Sequence, residues 1–319
     1  MSRLGLWLTG LHGLPEERLG TLLPRLWGQG RAERLAAPSR LEAAGRLLGF
    51  SASLPAAALL AWQDGVDCAG DWTLALEPVA IGGQAGRAVL TPVGTLPEAE
   101  DAALFAAAQA HFAAMPWRLQ RGRQRWYLCS RSPLALHTPD PNTVWAHEPL
   151  VERIQGADAR AVHAFLNELQ MLLAAHSHNE KRSAEGLDPW CYFWPWGEGS
   201  LPSERPQSPW THLAATDEEL RAAQRWLGLT DWSPGQDPWP EALLWVWSED
   251  WRLPEVAAQF EQQAAALRAF RQRHGVIDLY TGLLAQGDGL EHLYLSPRSR
   301  WAFWRRRRQP GAALRQGHW

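Results

Sequence analysis

The chain has 319 residues, of which 46% are hydrophobic and 20% charged, with a formal net charge of −3. Those values exclude a disordered chain and demand neither a nucleic-acid nor a membrane partner. No run is long and apolar enough for a transmembrane helix, the N-terminus lacks a secretory pattern, and the length suits one large domain or two ordinary ones.

In chain order, residues 4–9 read as a short strand, and residues 15–27 and 39–49 as helices with leucines three and four apart. Ser39 followed by Glu42 is a capping-box pattern for the second helix. A short helix runs from Pro55 to Trp62 and ends at the turn Asp64-Gly65. Residues 72–81 form a strand that Pro78 should demote to an edge or bulge, then Gly82-Gly83 turns into a second strand at 88–92. Pro97 and acidic residues open a helix over 97–114, and 117–119 with 125–129 suggest a hairpin. Residues 130–150 read as loop.

Residues 157–176 form the central helix. Val162, Phe165, Leu166, Leu169, Leu172 and Leu173 share one face. Met171 lies nearly opposite, so burial on both sides is expected, with Asn167, Glu168 and Gln170 needing partners. After it come His176, His178, Asn179, Glu180 and Arg182, read as loop. Residues 190–202 form an aromatic strand ending in a Gly-rich turn. Residues 217–227 are helical, 241–247 a buried strand or short helix, and 253–273 a long helix. Two strands at 274–284 and 290–296 are joined by the turn 287–289. The tail carries Trp301, Phe303, Trp304 and the run Arg305, Arg306, Arg307, Arg308.

Twenty tryptophans are several times the usual share, and most belong in a core. Lys181 is the sole lysine. Cys68, Cys129 and Cys191 match neither a zinc knuckle nor a disulfide framework, so reduced thiols in the cytoplasm are expected.

Few motifs carry chemistry. His176-x-His178 can hold a divalent metal only with a third ligand, for which His147, Glu148 and Glu168 are candidates. As a structural feature, the same cluster is a helix C-terminus, with histidines suited to the dipole. Trp196-Gly197-Glu198-Gly199 could bring backbone N–H groups to a phosphate, or be a tight turn. It lacks the Gly-Lys-Ser/Thr of a P-loop, and no Gly-x-Ser-x-Gly elbow occurs. The Trp/Arg tail could stack on nucleic acid through Arg305, Arg306, Arg307 and Arg308, or be a solvated end.

The combination LNELQMLLAAHSHNEKRSAEGL (166–187), PWCYFWPWGEGSLP (189–202) and FWRRRR near the C-terminus resembles the regulatory protein, Rpf type E family of proteobacteria. Members of that family are often labelled phosphoglycerate mutase. The match rests on Asn167, Glu168, Gln170, Met171, Leu172, Leu173, His176, Asn179, Arg182, Gly186, Trp196, Gly197 and Gly199. It extends more weakly to Asp64-Gly65, Glu77-Pro78-Val79 and Arg125-Trp126. Ala80 or Ile81 stands where the family commonly has His, and Cys191-Tyr192 where it has Asn-Ser.

The resemblance implies a regulatory protein that binds a polar or anionic ligand, or a partner, without established catalysis. Its candidate ligand-binding residues are Asn167, Glu168, Gln170, His176, Asn179, Arg182, Trp196, Gly197 and Gly199. The alternatives are a metal-dependent phosphoglycerate-mutase-like phosphotransfer enzyme, and an interaction or nucleic-acid module using the tail. The expected fold is α/β or α+β, a mixed sheet with flanking helices, distantly alkaline-phosphatase or phosphoglycerate-mutase-like in the C-terminal half. The expected division is an α+β region over 1–150 and an α/β region over 151–319, or one continuous domain.

Overall fold

A computed structural model describes residues 3–9, 31–35, 39–68, 70–84, 87–93, 96–141, 154–234, 239–248, 254–263, 267, 270, 276–282 and 290–295. Expected features at 15–27, 147–148, 287–289 and 298–319 lie outside those residues.

The chain opens with β1 (Arg3–Leu8) and β2 (Arg31–Leu35). Helix α1 (Arg40–Leu48) follows, where the Ser39 hydroxyl accepts the Glu42 N–H at 3.1 Å, as the capping pattern requires. Helix α2 (Ala56–Asp64) ends at Gly65 in the left-handed conformation. Then come β3 (Trp72–Gln84), β4 (Arg87–Pro92), α3 (Glu98–His111), β5 (Arg118–Arg121) and β6 (Trp126–Ser130). Helices α4 (Ala159–Ala174) and α5 (Ser177–Ala184) lead to β7 (Tyr192–Gly199). The remainder is β8 (His212–Ala214), α6 (Glu218–Leu227), β9 (Thr230–Asp231), β10 (Ala242–Trp247), α7 (Pro254–Gln262), β11 (Val276–Gly282) and β12 (Leu290–Leu295).

The fold is mixed α/β with flanking helices, in two compact units: 1–53 with 205–319, and 54–204. The expected boundary near residue 150 falls inside the second unit.

The first unit holds a seven-stranded sheet in the order β2-β12-β11-β1-β10-β8-β9. Strands β11, β1, β10, β8 and β9 run parallel, while β12 and β2 are antiparallel at one edge. Because side chains alternate along a strand, Leu4, Leu6, Leu8, Leu243, Trp245, Ile277 and Leu279 share one face. They pack with Val256 and Phe260 of α7. On the other face, Gly5 leaves room for the Trp210 ring: a Cβ there would meet the indole at 2.5 Å. Trp210 Nε1 donates to the Leu47 carbonyl of α1 at 2.6 Å, and Phe50 stacks on Trp226 of α6.

The second unit holds a smaller antiparallel sheet, order β4-β3-β6-β5, with β7 on the opposite edge of β3. Trp72, Leu74, Leu76, Trp126, Leu128 and Phe193 face Leu104 and Ala108 of α3 and Val162, Phe165, Leu169 and Leu173 of α4. The opposite parity sets Ala75, Glu77, Tyr127 and Trp196 on the other face, where α2 lies.

Several expectations are corrected. β3 runs unbroken to Gln84, with Gly82 and Gly83 paired to Val89 and Ala88, so these glycines belong to the strand and not to a turn. Pro78 is not on an edge. It sits where β3 changes neighbour on one side, after the register with β6 ends at Leu76 and before that with β4 begins at Val79. A missing N–H there breaks no ladder bond on that side. Met171 is 73% exposed, so α4 is buried on one face only. The reduced thiols are corrected as well: Cys68 and Cys129 form a disulfide, their Cα atoms 6.1 Å apart. Regular spacing along the chain does not report distance through space. Cys191 is free and buried. Among the described residues, no helix is long and apolar enough to cross a membrane.

Candidate functional site

The cluster following the central helix is a second helix and its packing, not a loop. His176 is the N-cap of α5, its Nδ1 accepting the His178 N–H at 3.3 Å, and the two rings stack at 5.3 Å. Asn179 is fully buried. Its amide nitrogen donates to the carbonyls of Leu173 (2.8 Å) and Trp190 (3.2 Å), and its oxygen accepts the Trp190 N–H at 2.7 Å. One side chain thus ties the end of α4 to the segment entering β7. Arg182 lies over the Trp190 ring at 4.9 Å and donates to the Asp188 carbonyl at 3.0 Å. Asn167 and Glu168 are exposed, Glu168 pairing with His111 at 2.7 Å, and Gln170 is half-buried. Asn179 and Arg182 therefore meet around Trp190, whereas Asn167 and Glu168 stand on the solvent face of α4.

The WGEG segment belongs to β7. Gly197 and Gly199 lie within the strand, at a register irregularity opposite Thr73 and Ala75. Gly197 has φ 71°, and a Cβ there would come within 3.0 Å of Ala56 and of the Ala57 nitrogen. The glycine lets the first turn of α2 lie on the strand. Trp196 points to that same face, away from α4 and α5. Its Nε1 donates to Glu77 Oε2 at 3.4 Å, and Arg125 Nε donates to the same oxygen at 2.7 Å. Nearby, Tyr127 donates its hydroxyl to Asp64 at 2.8 Å. Burial and the adjacent Asp64 keep that phenol protonated well above its usual range. The weaker resemblance residues, Asp64, Glu77 and Arg125, so converge with Trp196 on one face of β3, β6 and β7.

A third cluster has no counterpart among the sequence motifs. Helix α6, between β8 and β9, lies on the Trp210 side of the large sheet, and α7, between β10 and β11, packs on the other. β8 and β10 are neighbours, so the chain diverges at their carboxyl ends, the place where open α/β sheets bind ligands. Asp217 follows β8, Ser248 follows β10, and Thr9 follows β1. Asp217 occupies the N-cap of α6 but makes no side-chain cap bond. Instead Asp217 Oδ2 accepts the Ser248 hydroxyl, and Asp217 Oδ1 accepts Arg40 at 3.2 Å. Arg40 is buried and also donates to Glu219. Burial pushes the Asp217 carboxyl up and Glu219 adds to it, while Arg40 and Ser248 oppose. Thr9 is buried, its N–H reaching the Trp247 carbonyl at 3.1 Å. The signal in the sequence is a hydroxyl residue directly after each of two apolar strands.

Of the residues expected to hold a metal, the described ones do not gather: His176 and His178 adjoin each other, while Glu168 pairs with His111. Among the described residues, no group of three or more His, Cys, Asp or Glu could hold a metal ion.

No family model matches the chain, and no curated protein matches it. Two solved structures are similar in chain path. One is the cofactor-independent phosphoglycerate mutase from Thermoplasma acidophilum DSM 1728, with 17% identity, TM-score 0.44, and coverage of 92% of this chain and 89% of that one. The other is the PH0037 protein from Pyrococcus horikoshii, with 14% identity, TM-score 0.48, and coverage of 92% and 87%.

Proposed function

We propose that the chain is a ligand-binding protein of the kind its resemblance to the Rpf type E family implies, and that it takes a polar, hydrogen-bond-donating ligand at the carboxyl ends of β1, β8 and β10. The observation that carries this is Asp217, a carboxylate at a helix N-cap position that serves Ser248 and Arg40 instead of the helix. Arg40 already spans Asp217 and Glu219, so among the described residues its charge is engaged by carboxylates and not offered to an anion. A ligand hydroxyl or amine, exchanging with the Ser248 hydroxyl on Asp217, suits it better. The helix cluster at 176–182 is occupied with packing and supports a structural role.

The test is a calorimetric titration with sorbitol, magnesium and inorganic phosphate as separate probes. Binding of sorbitol that is lost in Asp217→Asn and weakened in Ser248→Ala is expected. Because the ionised carboxylate is the stronger acceptor, binding should strengthen as pH rises above the usual carboxylate range. Binding of phosphate alone, or sorbitol binding indifferent to both substitutions, would sink the reading.

A second reading is phosphotransfer catalysis. Ser248, Asp217 and Arg40 stand in the order hydroxyl, base and orienting group that activates a nucleophile. A coupled phosphoglycerate mutase assay with manganese, abolished by Ser248→Ala, is the outcome that would favour it.

A further inference from the structure

We infer that the Cys68–Cys129 disulfide is a redox-dependent lock on one corner of the second unit, distinct from the proposed ligand site in the first. Cys68 lies in the turn between α2 and β3, and Cys129 lies in β6, between Arg118 of β5 and Thr73 of β3. The bond links positions 61 apart in sequence, both buried.

It does not act alone. Just before the turn, the Asp64 carboxylate accepts the Tyr127 hydroxyl at 2.8 Å and the Arg123 N–H at 3.1 Å. Just after it, Asp71 pairs with Arg118. These polar ties, with a longer one from Arg118 to the Asp67 carbonyl, and one covalent tie therefore join the end of α2 and its turn to a single hairpin, β5–β6. The polar ties survive reduction, so the reduced corner keeps its fold but opens more readily. Closing a long loop removes entropy chiefly from the unfolded chain, so the bond stabilises this unit. Cys191 is the third thiol, and burial pushes it up to about 11, which keeps it protonated and a poor competitor in exchange.

The chemistry balances with a disulfide oxidant such as glutathione disulfide. One cysteine thiolate attacks it, forming a mixed disulfide and releasing one glutathione thiol. The second thiolate then displaces the other glutathione, leaving the Cys68–Cys129 bond and two reduced glutathiones. Since both sulfurs are covered, exchange in the folded protein has to wait for local opening.

The test begins with thiol counting on the full chain equilibrated in glutathione disulfide, then denatured. One reactive thiol, Cys191, is expected, against three after full reduction. Three thiols after oxidation would overturn the inference. So would retention of a disulfide in Cys129→Ala, which would place the bond elsewhere. Next, hydrogen exchange compares the oxidised and reduced wild-type protein, which needs no variant to fold. Peptides covering 64–72 and 118–130 should exchange at least about tenfold faster when reduced, while β1, β10 and β11 stay unchanged. Equal exchange in both states, or a uniform change across both units, would overturn it.

Discussion

At the scale of single residues, polar side chains divide by what they already satisfy. Asn179 has both ends of its amide used on backbone groups of Leu173 and Trp190. Asn179→Ala leaves those buried groups unpaired and should cost about 2–3 kcal/mol in a urea titration, without changing any ligand affinity. Asp278 is the other informative case. It accepts Arg3 Nε at 2.6 Å and His292 Nε2 at 2.9 Å. Burial alone would raise its carboxyl, but those two bonds outweigh burial and hold it below its ordinary value. A depressed folded value means that the unfolded chain binds the proton more tightly. The stability it gives is therefore present above the ordinary carboxylate range and lost as pH falls through the folded value. Asp278→Asn should lower stability at neutral pH by about 2 kcal/mol and flatten the acid limb, read from urea midpoints across pH.

At the scale of elements, two glycines with similar positive φ separate conformational cost from crowding. Gly65 has φ 75° with nothing within 4 Å of where a methyl group would stand, and Gly197 has φ 71° with Ala56 and Ala57 at 3.0 Å. Gly65→Ala should cost about 1 kcal/mol, the penalty of a left-handed alanine. Gly197→Ala should cost about 2–4 kcal/mol, because α2 must also move off β7. Equal losses in thermal denaturation would contradict the close packing of helix and strand. Most elements were legible because their periodicity is strong. The apolar run of β1, the capping of α1 at Ser39 and the two strands β11 and β12 follow local rules, whereas the run of β10 is apolar on both faces and left strand and short helix open. The short β8 and β9 were not legible, since three and two residues carry no period. Helix α5 was hidden because His176 to Arg182 is polar on nearly every side, and only Asn179 is buried.

At the scale of the whole molecule, the second unit, 54–204, is continuous in sequence, whereas the first is assembled from both ends of the chain. Each unit has its own core, so reducing the disulfide should lower the melting of one unit and not the other. In calorimetry, a single transition should broaden or split on reduction, with the lower-melting part falling by about 5–10 °C. A rigid downward shift of one symmetric transition would show that the units unfold together.

What the sequence alone determined was local. Hydrophobic spacing and caps placed most of the longer strands and helices, and the motif stretch at 166–199 marked residues that do meet, in part, around Trp190. What only the tertiary structure decided was which faces those residues share. Trp196 sits three residues beyond Phe193, yet strand alternation sends it across the sheet to Glu77 and Arg125. Cys68 found Cys129, and Asp217 found Arg40 and Ser248, across separations of 61, 177 and 31 residues. Such contacts depend on sheet order and crossover side, properties of the folded chain that no local window of sequence contains.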